Sequence, residues 1–478
     1  MSAMIDVIVL GAGPAGAAAA VEAARRGLTV QVLEEAAAAG GQVYRIAPGI
    51  RTCDATPESD AGDALRASLG AARVDARFGH RVWQVEHNAA SFAVHAVNAT
   101  GPVTLTARAL IVAGGAVERH VPIDGWDRPG VMGLAGATVL LKAQCMLPGR
   151  NVVVAGAGPL LLAVAAGIVH GGGRVAAVVD LQPRSRWLRD WRGMASRPDL
   201  VTRGARWMAT LLASRTPILH GSALRRIEGD PVANAVVVTR LDAAGTVVAR
   251  GAERSIACDA VCLGFGLQPA TDITRLLGAA HAFDAARGGW HVVTDEHQAT
   301  SIAGLFVCGD AAGIAGAAAA PWSGRVAAVA VDRHLGRVSA AEALRAATPM
   351  VAARDRAARF GRAMTQVAEG GDGLILAIAP ATPVCLCEQV SRATIDAAVD
   401  AGATTLSEVK SATRCGMGPC GGRLCEDAVA RLIALRTGTA RAAVGMATGR
   451  PPLRPVALDQ LAGEFDYDAL PIVQSAPL

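Results

Sequence analysis

With 478 residues the chain can hold two to four domains, each burying its own core. Its +5 net charge comes from scattered arginines, with lysine only at Lys142 and Lys410 and 3% aromatics, which excludes the basic block and stacking surface of a nucleic-acid binder. Residues are 52% hydrophobic, yet the nearest approach to a membrane span, 305–331, holds Asp310, Pro321 and Arg325, and no basic region precedes the N-terminal apolar run. Neither a transmembrane helix nor a signal peptide is expected, and the expected location is cytoplasmic.

The first predicted unit spans residues 5–35, IDVIVLGAGPAGAAAAVEAARRGLTVQVLEE, and reads as strand, glycine turn, helix, strand and acid. In Gly11-Ala-Gly13-Pro14-Ala15-Gly16, Gly11 permits the tight turn and Gly13 lets backbone approach a pyrophosphate. Gly16 allows close helix–strand packing, and the anion sits at the helix N-terminus. Glu34 is placed to hydrogen-bond an adenosine ribose. Three later segments point to FAD, as in flavoproteins with two dinucleotide domains. Gly40-Gly41-Gln42 brings backbone to the isoalloxazine ring, and residues 109–115, ALIVAGG, form a strand ending at Ala113-Gly114. Gly304 to Asp310 reads GLFVCGD and resembles the second FAD fingerprint of these flavoproteins, which implies that Asp310 binds the ribityl chain, with Gly309 also at the cofactor. The helix opened by Pro321-Trp322-Ser323-Gly324-Arg325 directs its positive end at the flavin.

A second unit, residues 151–180, repeats the pattern in NVVVAGAGPLLLAVAAGIVHGGGRVAAVVD. Gly156 and Gly158 survive and Asp180 can hold a ribose, but the third glycine position is Leu161, too bulky for the close contact glycine permits. This leaves an NAD(H) site or a retained fold without a hydride role, with a bound adenine nucleotide open under either. No Cys-x-x-Cys or Cys-x4-Cys pair precedes residue 380, so a disulfide-reducing role is excluded.

Residues 339–369 have helical periodicity, broken by Gly370-Gly-Asp-Gly373. Five of the ten cysteines then fall in one segment: Cys385, Cys387, Cys415, Cys420 and Cys425. Two short helices are expected between them, one starting near Ser391 and one with the capping-box pattern Thr405-Leu-Ser-Glu408. A Cys-x-Cys loop then meets a Cys-x4-Cys loop, which suits a [2Fe–2S] cluster or an all-cysteine zinc site. Beside a flavin, iron–sulfur is favoured. We take Cys385, Cys387, Cys420 and Cys425 as ligands and Cys415 as a supporting thiol, with ligation and a merely buried role both open to it.

The expected fold class is α/β: two Rossmann-like dinucleotide-binding domains of the FAD/NAD-linked reductase type, plus a small helical C-terminal [2Fe–2S] domain. The expected layout is 1–122 and 286–338 for a split FAD domain, 123–285 for the NAD-binding-like insertion and 339–380 for a helical linker. Residues 381–440 form the cluster domain, and 441–478 an extended tail lying on this or another subunit.

Pro122-Ile-Asp-Gly-Trp126-Asp-Arg-Pro-Gly130-Val-Met, Gly158-Pro-Leu-Leu-Leu162 and Thr413-Arg-Cys-Gly-Met-Gly-Pro-Cys420 resemble the alpha (A) subunits of opine oxidases, D-hydroxyproline dehydrogenase and hydrogen cyanide synthase. The likeness covers nearly the whole chain, and the cysteine domain resembles the bacterioferritin-associated ferredoxin type. One departure is Gly421-Gly422, where the family often shows Cys-Gln-Gly. The resemblance implies an oxidoreductase acting on CH–NH donors, with FAD and [2Fe–2S] here and an FAD-dependent beta subunit carrying the substrate site. It leaves room for a small further subunit and for peripheral membrane contact through an electron acceptor. No acid–base dyad stands out, so the catalytic residues are unassigned. Two other readings stay open: a self-sufficient NAD(P)H-dependent reductase, and a non-catalytic assembly subunit.

Overall fold

The structure, a computed structural model, describes residues 4–46, 57–88, 90–189, 191–242, 245–247 and 253–462; Cys53 and the tail beyond residue 462 lie outside them. In the Ile5–Leu10 strand, Val7 and Val9 face one core and Ile8 and Leu10 the other, so both faces of the sheet are covered. That strand lies between Val30–Glu34 and Gly101–Val112 in a seven-stranded sheet. The Gly101–Val112 strand does double duty: its first half pairs antiparallel with Ser91–Asn98. Its second half takes Leu305–Val307 in parallel, in the register Leu110↔Leu305 and Val112↔Val307. The first domain is therefore built from two distant stretches of chain.

The second sheet has five parallel strands in the order Ile218–His220, Arg174–Asp180, Asn151–Gly156, Ala260–Gly264, Val131–Gly133. The chain crosses between the two domains through an antiparallel pair, Ala116–Glu118 with Leu267–Pro269. Ile273, Leu277, Ala279 and Val292 already pack in the core of the first sheet. The return thus comes before residue 273, earlier than the 286 read from sequence; the His281–Asp284 and Gly289–Val292 hairpin belongs with the first domain.

The Ala340–Ala368 helix starts at a complete capping box, Ser339 with Glu342. It leads through Gly373–Leu376 into the cysteine domain, where the two expected helices, Arg392–Asp400 and Leu406–Thr413, are followed by a third, Glu426–Thr437. This domain is not a separate bead. Val384, Ile395, Val409 and Ile433 share one hydrophobic core with Val153, Val179 and Leu263 of the second sheet. Trp126 fixes the junction, its buried indole Nε1–H donating to the Pro383 carbonyl at 2.7 Å. The tail then runs back to the first domain, Leu453 N donating to Trp83 O at 2.8 Å. It is not wholly extended, since Arg441–Val444 and Leu458–Ala462 are helical.

Trp126→Phe keeps an aromatic ring but leaves the Pro383 carbonyl without its donor, and should cost about 1 kcal/mol. Denaturant titration followed by loss of cluster colour measures this; an unchanged midpoint would show that the bond does not hold the domains together.

Candidate cofactor sites

In the first glycine turn a Cβ on Gly16 would stand 1.8 Å from the Gly11 carbonyl oxygen, so the helix can meet the strand only through glycine. A Cβ on Gly13 would meet only the Gly41 Cα, at 3.6 Å. The space over Gly13 is thus open, as a pyrophosphate cradle requires. The Pro14–Arg25 helix has no side-chain cap, which leaves its first amides for an anion. Glu34 accepts from Ala12 N at 2.7 Å and Ala36 N at 2.8 Å, one to each oxygen, which fixes its carboxylate at the strand end.

The other expected segments converge on this turn. Gly40 N donates to the Ala12 carbonyl, bringing Gly41 against Gly13, while the neighbouring Gln42 is exposed. Ala113 N donates to Leu10 O, and Gly114 follows it at the exposed end of the strand. Gly309 lies against Ala15, and Asp310 Oδ1 accepts from Ala315 N and Gly316 N, both at 2.9 Å. Burial pushes the Asp310 carboxyl up, and those two amides pull the other way. The Ala320–His334 helix crosses the first helix closely, since a Cβ on Gly324 would be 2.0 Å from the Ala15 carbonyl oxygen. The cradle fits FAD: an open glycine turn, with the Glu34 and Asp310 carboxylates each fixed by two backbone amides.

The second turn is different. Leu161 does not obstruct the fold; it is fully buried among Val152, Val154 and Leu134. Over Gly158 lies the end of the long helix: a Cβ there would stand 2.9 Å from the Ala368 Cβ. Asp180, 2% exposed, accepts from Gln182 N, Trp187 Nε1 and His220 Nδ1 at 2.9 to 3.0 Å. At the same edge of the sheet, Glu118 Oε2 accepts from Ala135 N at the start of the Leu134–Ala143 helix. Burial pushes the Glu118 carboxyl up to about 7.

The two cysteine loops meet, but the compact thiol group takes in Cys415, which the sequence reading sets outside the ligand set, and leaves out Cys387 and Cys420. A Cβ on Gly418 would lie 2.2 Å from the Cys387 Cβ, so only a bare backbone lets the second loop close on the first. The sulfurs of Cys385, Cys415 and Cys425 lie within 4.8 Å of one another, all buried. Cys387, exposed, sits in hydrogen-bonding contact with half-buried Cys420. The donor set is thiol throughout and suits a cluster. Thiols of Cys415 and Cys425 donate to the Cys385 sulfur, which favours its thiolate and pushes Cys415 up to about 12. Cys425 caps the Glu426–Thr437 helix at its positive end. Burial pushes the Cys258 and Cys262 thiols up to about 11 and about 12, which disfavours their thiolates.

A contact that ties the cysteine loop to the crossover between the two dinucleotide-type domains has no signature in the sequence. Arg423, inside the Cys420–Cys425 loop, donates to the Cys420 carbonyl at 2.6 Å and to Asp272 at 2.8 and 3.1 Å. Asp272 follows Ala270, which donates to Gly115 O beside Ala113-Gly114. Arg275 pairs with Glu426 at 3.1 Å nearby. Arg423 and Asp272 are 151 residues apart, and no local pattern relates them. Between these elements is a cleft of about 60 Å³ lined by Val117, Thr271, Trp290 and Gly422 among others.

Residues 5–332 match the family model described as pyridine nucleotide-disulphide oxidoreductase, and residues 383–434 the BFD-like [2Fe-2S] binding domain. The A subunit of opine oxidase from Rhizobium meliloti is 33% identical over 96% of this chain and 98% of its own length. The HcnB subunit of hydrogen cyanide synthase from Pseudomonas aeruginosa is 28% identical over 94% of this chain and 96% of its own. Among solved structures, L-proline dehydrogenase from P. horikoshii shares the fold, with a TM-score of 0.69 at 20% identity over 96% of this chain and 79% of that one. Cradle and thiols fit the cofactors these matches imply, FAD and [2Fe–2S]. No described helix is long and apolar enough to cross a membrane. The chain is therefore an oxidoreductase of the pyridine nucleotide-disulphide oxidoreductase family, a relative of the opine oxidase A subunits that carries a BFD-like [2Fe–2S] domain.

Proposed function

We propose that this chain is the electron-transfer subunit of a heteromeric dehydrogenase or oxidase. In this reading a partner flavoprotein subunit oxidises a secondary amine or amino acid. The observation that carries it is the Arg423–Asp272 tie, which locks the cysteine loop to the stretch packed on Gly115. Support also comes from the relatives' names, which mark them as subunits of larger enzymes.

Gly11, Gly13, Pro14, Ala15, Gly16, Glu34, Gly41, Gln42, Ala113, Gly114, Gly309 and Asp310 would hold FAD. Cys385, Cys387, Cys420 and Cys425 would hold the cluster. Bound there, the two groups supply a two-electron and a one-electron carrier. The protein's part is to fix their seats, with the Arg423–Asp272 and Arg275–Glu426 ion pairs holding the cysteine loop in place.

Gly13→Leu should give a folded chain that lacks the flavin absorption bands but keeps those of the cluster, because the added side chain fills the open cradle and meets little protein. Gly16→Ala should fail to fold, because its Cβ strikes the Gly11 carbonyl. Absorbance and circular dichroism separate the two, and full flavin occupancy in Gly13→Leu would overturn the assignment.

Each ligand position needs a thiolate, so serine at Cys385, Cys387, Cys420 or Cys425 should strip or destabilise the iron. Cys415→Ser should keep most of it. Iron per chain across the five variants decides this; loss in Cys415→Ser with retention in Cys420→Ser or Cys425→Ser would show the ligand set to be wrong.

Amine or amino-acid oxidation should appear only when the partner flavoprotein subunit is co-expressed. Turnover of such a substrate by the isolated chain would refute the division of labour.

A further inference from the structure

We infer that the nucleotide seat of the second dinucleotide-type domain is filled by the chain's own Ala368–Gly370 corner, so that this domain docks the cluster domain and admits no pyridine nucleotide.

In a dinucleotide fold the pyrophosphate lies over the glycine turn at the helix N-terminus, and the acid at the next strand end holds the ribose. Here the Ala368 methyl lies over Gly158, and the same methyl would be 3.2 Å from a Cβ on Gly266 across the sheet. The corner is also held by its carbonyls. Gln366 O accepts from Arg186, Glu369 O from Gln182 Nε2 at 3.0 Å, and Gly370 O from Arg431. Trp187 and Met194, which follow the Asp180 strand, pack on Met364 and Val367 of the helix. Asp180 has its carboxylate engaged by three donors of its own domain.

What remains at the strand ends is a void of about 10 Å³ between Gly156, Leu181, Phe265 and Leu374. Ligand sites for molecules of this class run to roughly 300 Å³ or more. The first turn provides the contrast within one chain: nothing but Gly41 approaches Gly13. A nucleotide could enter the second turn only if the corner withdrew, and the corner continues directly into Leu374 and Ile375 of the core that seats the cluster domain. Nucleotide binding and cluster docking are therefore mutually exclusive at this place. The inference is independent of which substrate the enzyme oxidises, so a negative amine assay does not touch it.

The test uses the flavin- and iron-replete protein. NADH is titrated by its own fluorescence and NAD+ by calorimetry, into the millimolar range, and no saturable binding is expected. In parallel, Gly158→Ala, Ala368→Gly and the double variant are compared by thermal midpoint. Gly158 has a φ of +94°, so an alanine there is strained in any case, and the coupling carries the information. The downward shift caused by Gly158→Ala should shrink by at least half in the Ala368→Gly background. Equal shifts in both backgrounds would overturn the inference. So would saturable NADH binding by the wild-type protein that Asp180→Asn abolishes, a result that needs no folded glycine variant.

Discussion

A single apolar core runs from the second sheet into the cysteine domain: Val153, Val179 and Leu263 from the sheet, Leu374 and Ile378 from the connection, Val384, Ile395 and Ile433 from beyond it. Interiors of this kind are packed like crystals and do not slide. Cys385, Cys415 and Cys425 belong to that core, so packing fixes the positions of these three thiols. Around it lies an ion network of low tolerance. Asp427 accepts from Arg441 at 2.6 Å and faces Arg119 at 3.6 Å, with Arg119 and Asp427 at 6% and 8% exposure. The longer of these pairs is an ion pair without a hydrogen bond. Such buried charges add little net stability, but removing one partner strands the other, which ties the cysteine domain to one orientation.

The second dinucleotide-type domain shows how one fold can serve different ends. Its five parallel strands, its glycine turn and its Asp180 are intact. The features that would serve a ligand here serve the chain: glycine receives a methyl group, and the acid orients a tryptophan and a histidine. Only the first domain keeps its turn open.

What the residues reveal on their own is whatever is local. Gly11 to Gly16, Glu34, the Thr405–Glu408 capping box and the cysteine loops each announce themselves within a few positions, because turn geometry and capping are short-range physics. Leu161 reads as a departure from the glycine pattern, and the core absorbs its bulk without loss of the fold. The boundary near residue 273 is hidden because a hairpin of the first domain follows the crossover strand without any break in composition. Trp126 with Pro383 and Arg423 with Asp272 are separated by 257 and 151 residues, and only the folded chain brings them together.

The split construction of the first domain sets an order of events on the ribosome. Its sheet lacks the Leu305–Val307 strand, and its flavin cradle lacks Gly309, Asp310 and the Ala320–His334 helix, until more than three hundred residues have been made. The whole inserted domain emerges in between, although the core on one face of its sheet is completed only by Leu374, Val384 and Ile433. FAD capture is therefore a late act of synthesis, and the nascent chain must wait with the Gly101–Val112 strand still lacking its Leu305–Val307 neighbour. A flavin shortage would be felt by nearly finished chains, after most of the labour of making them is done.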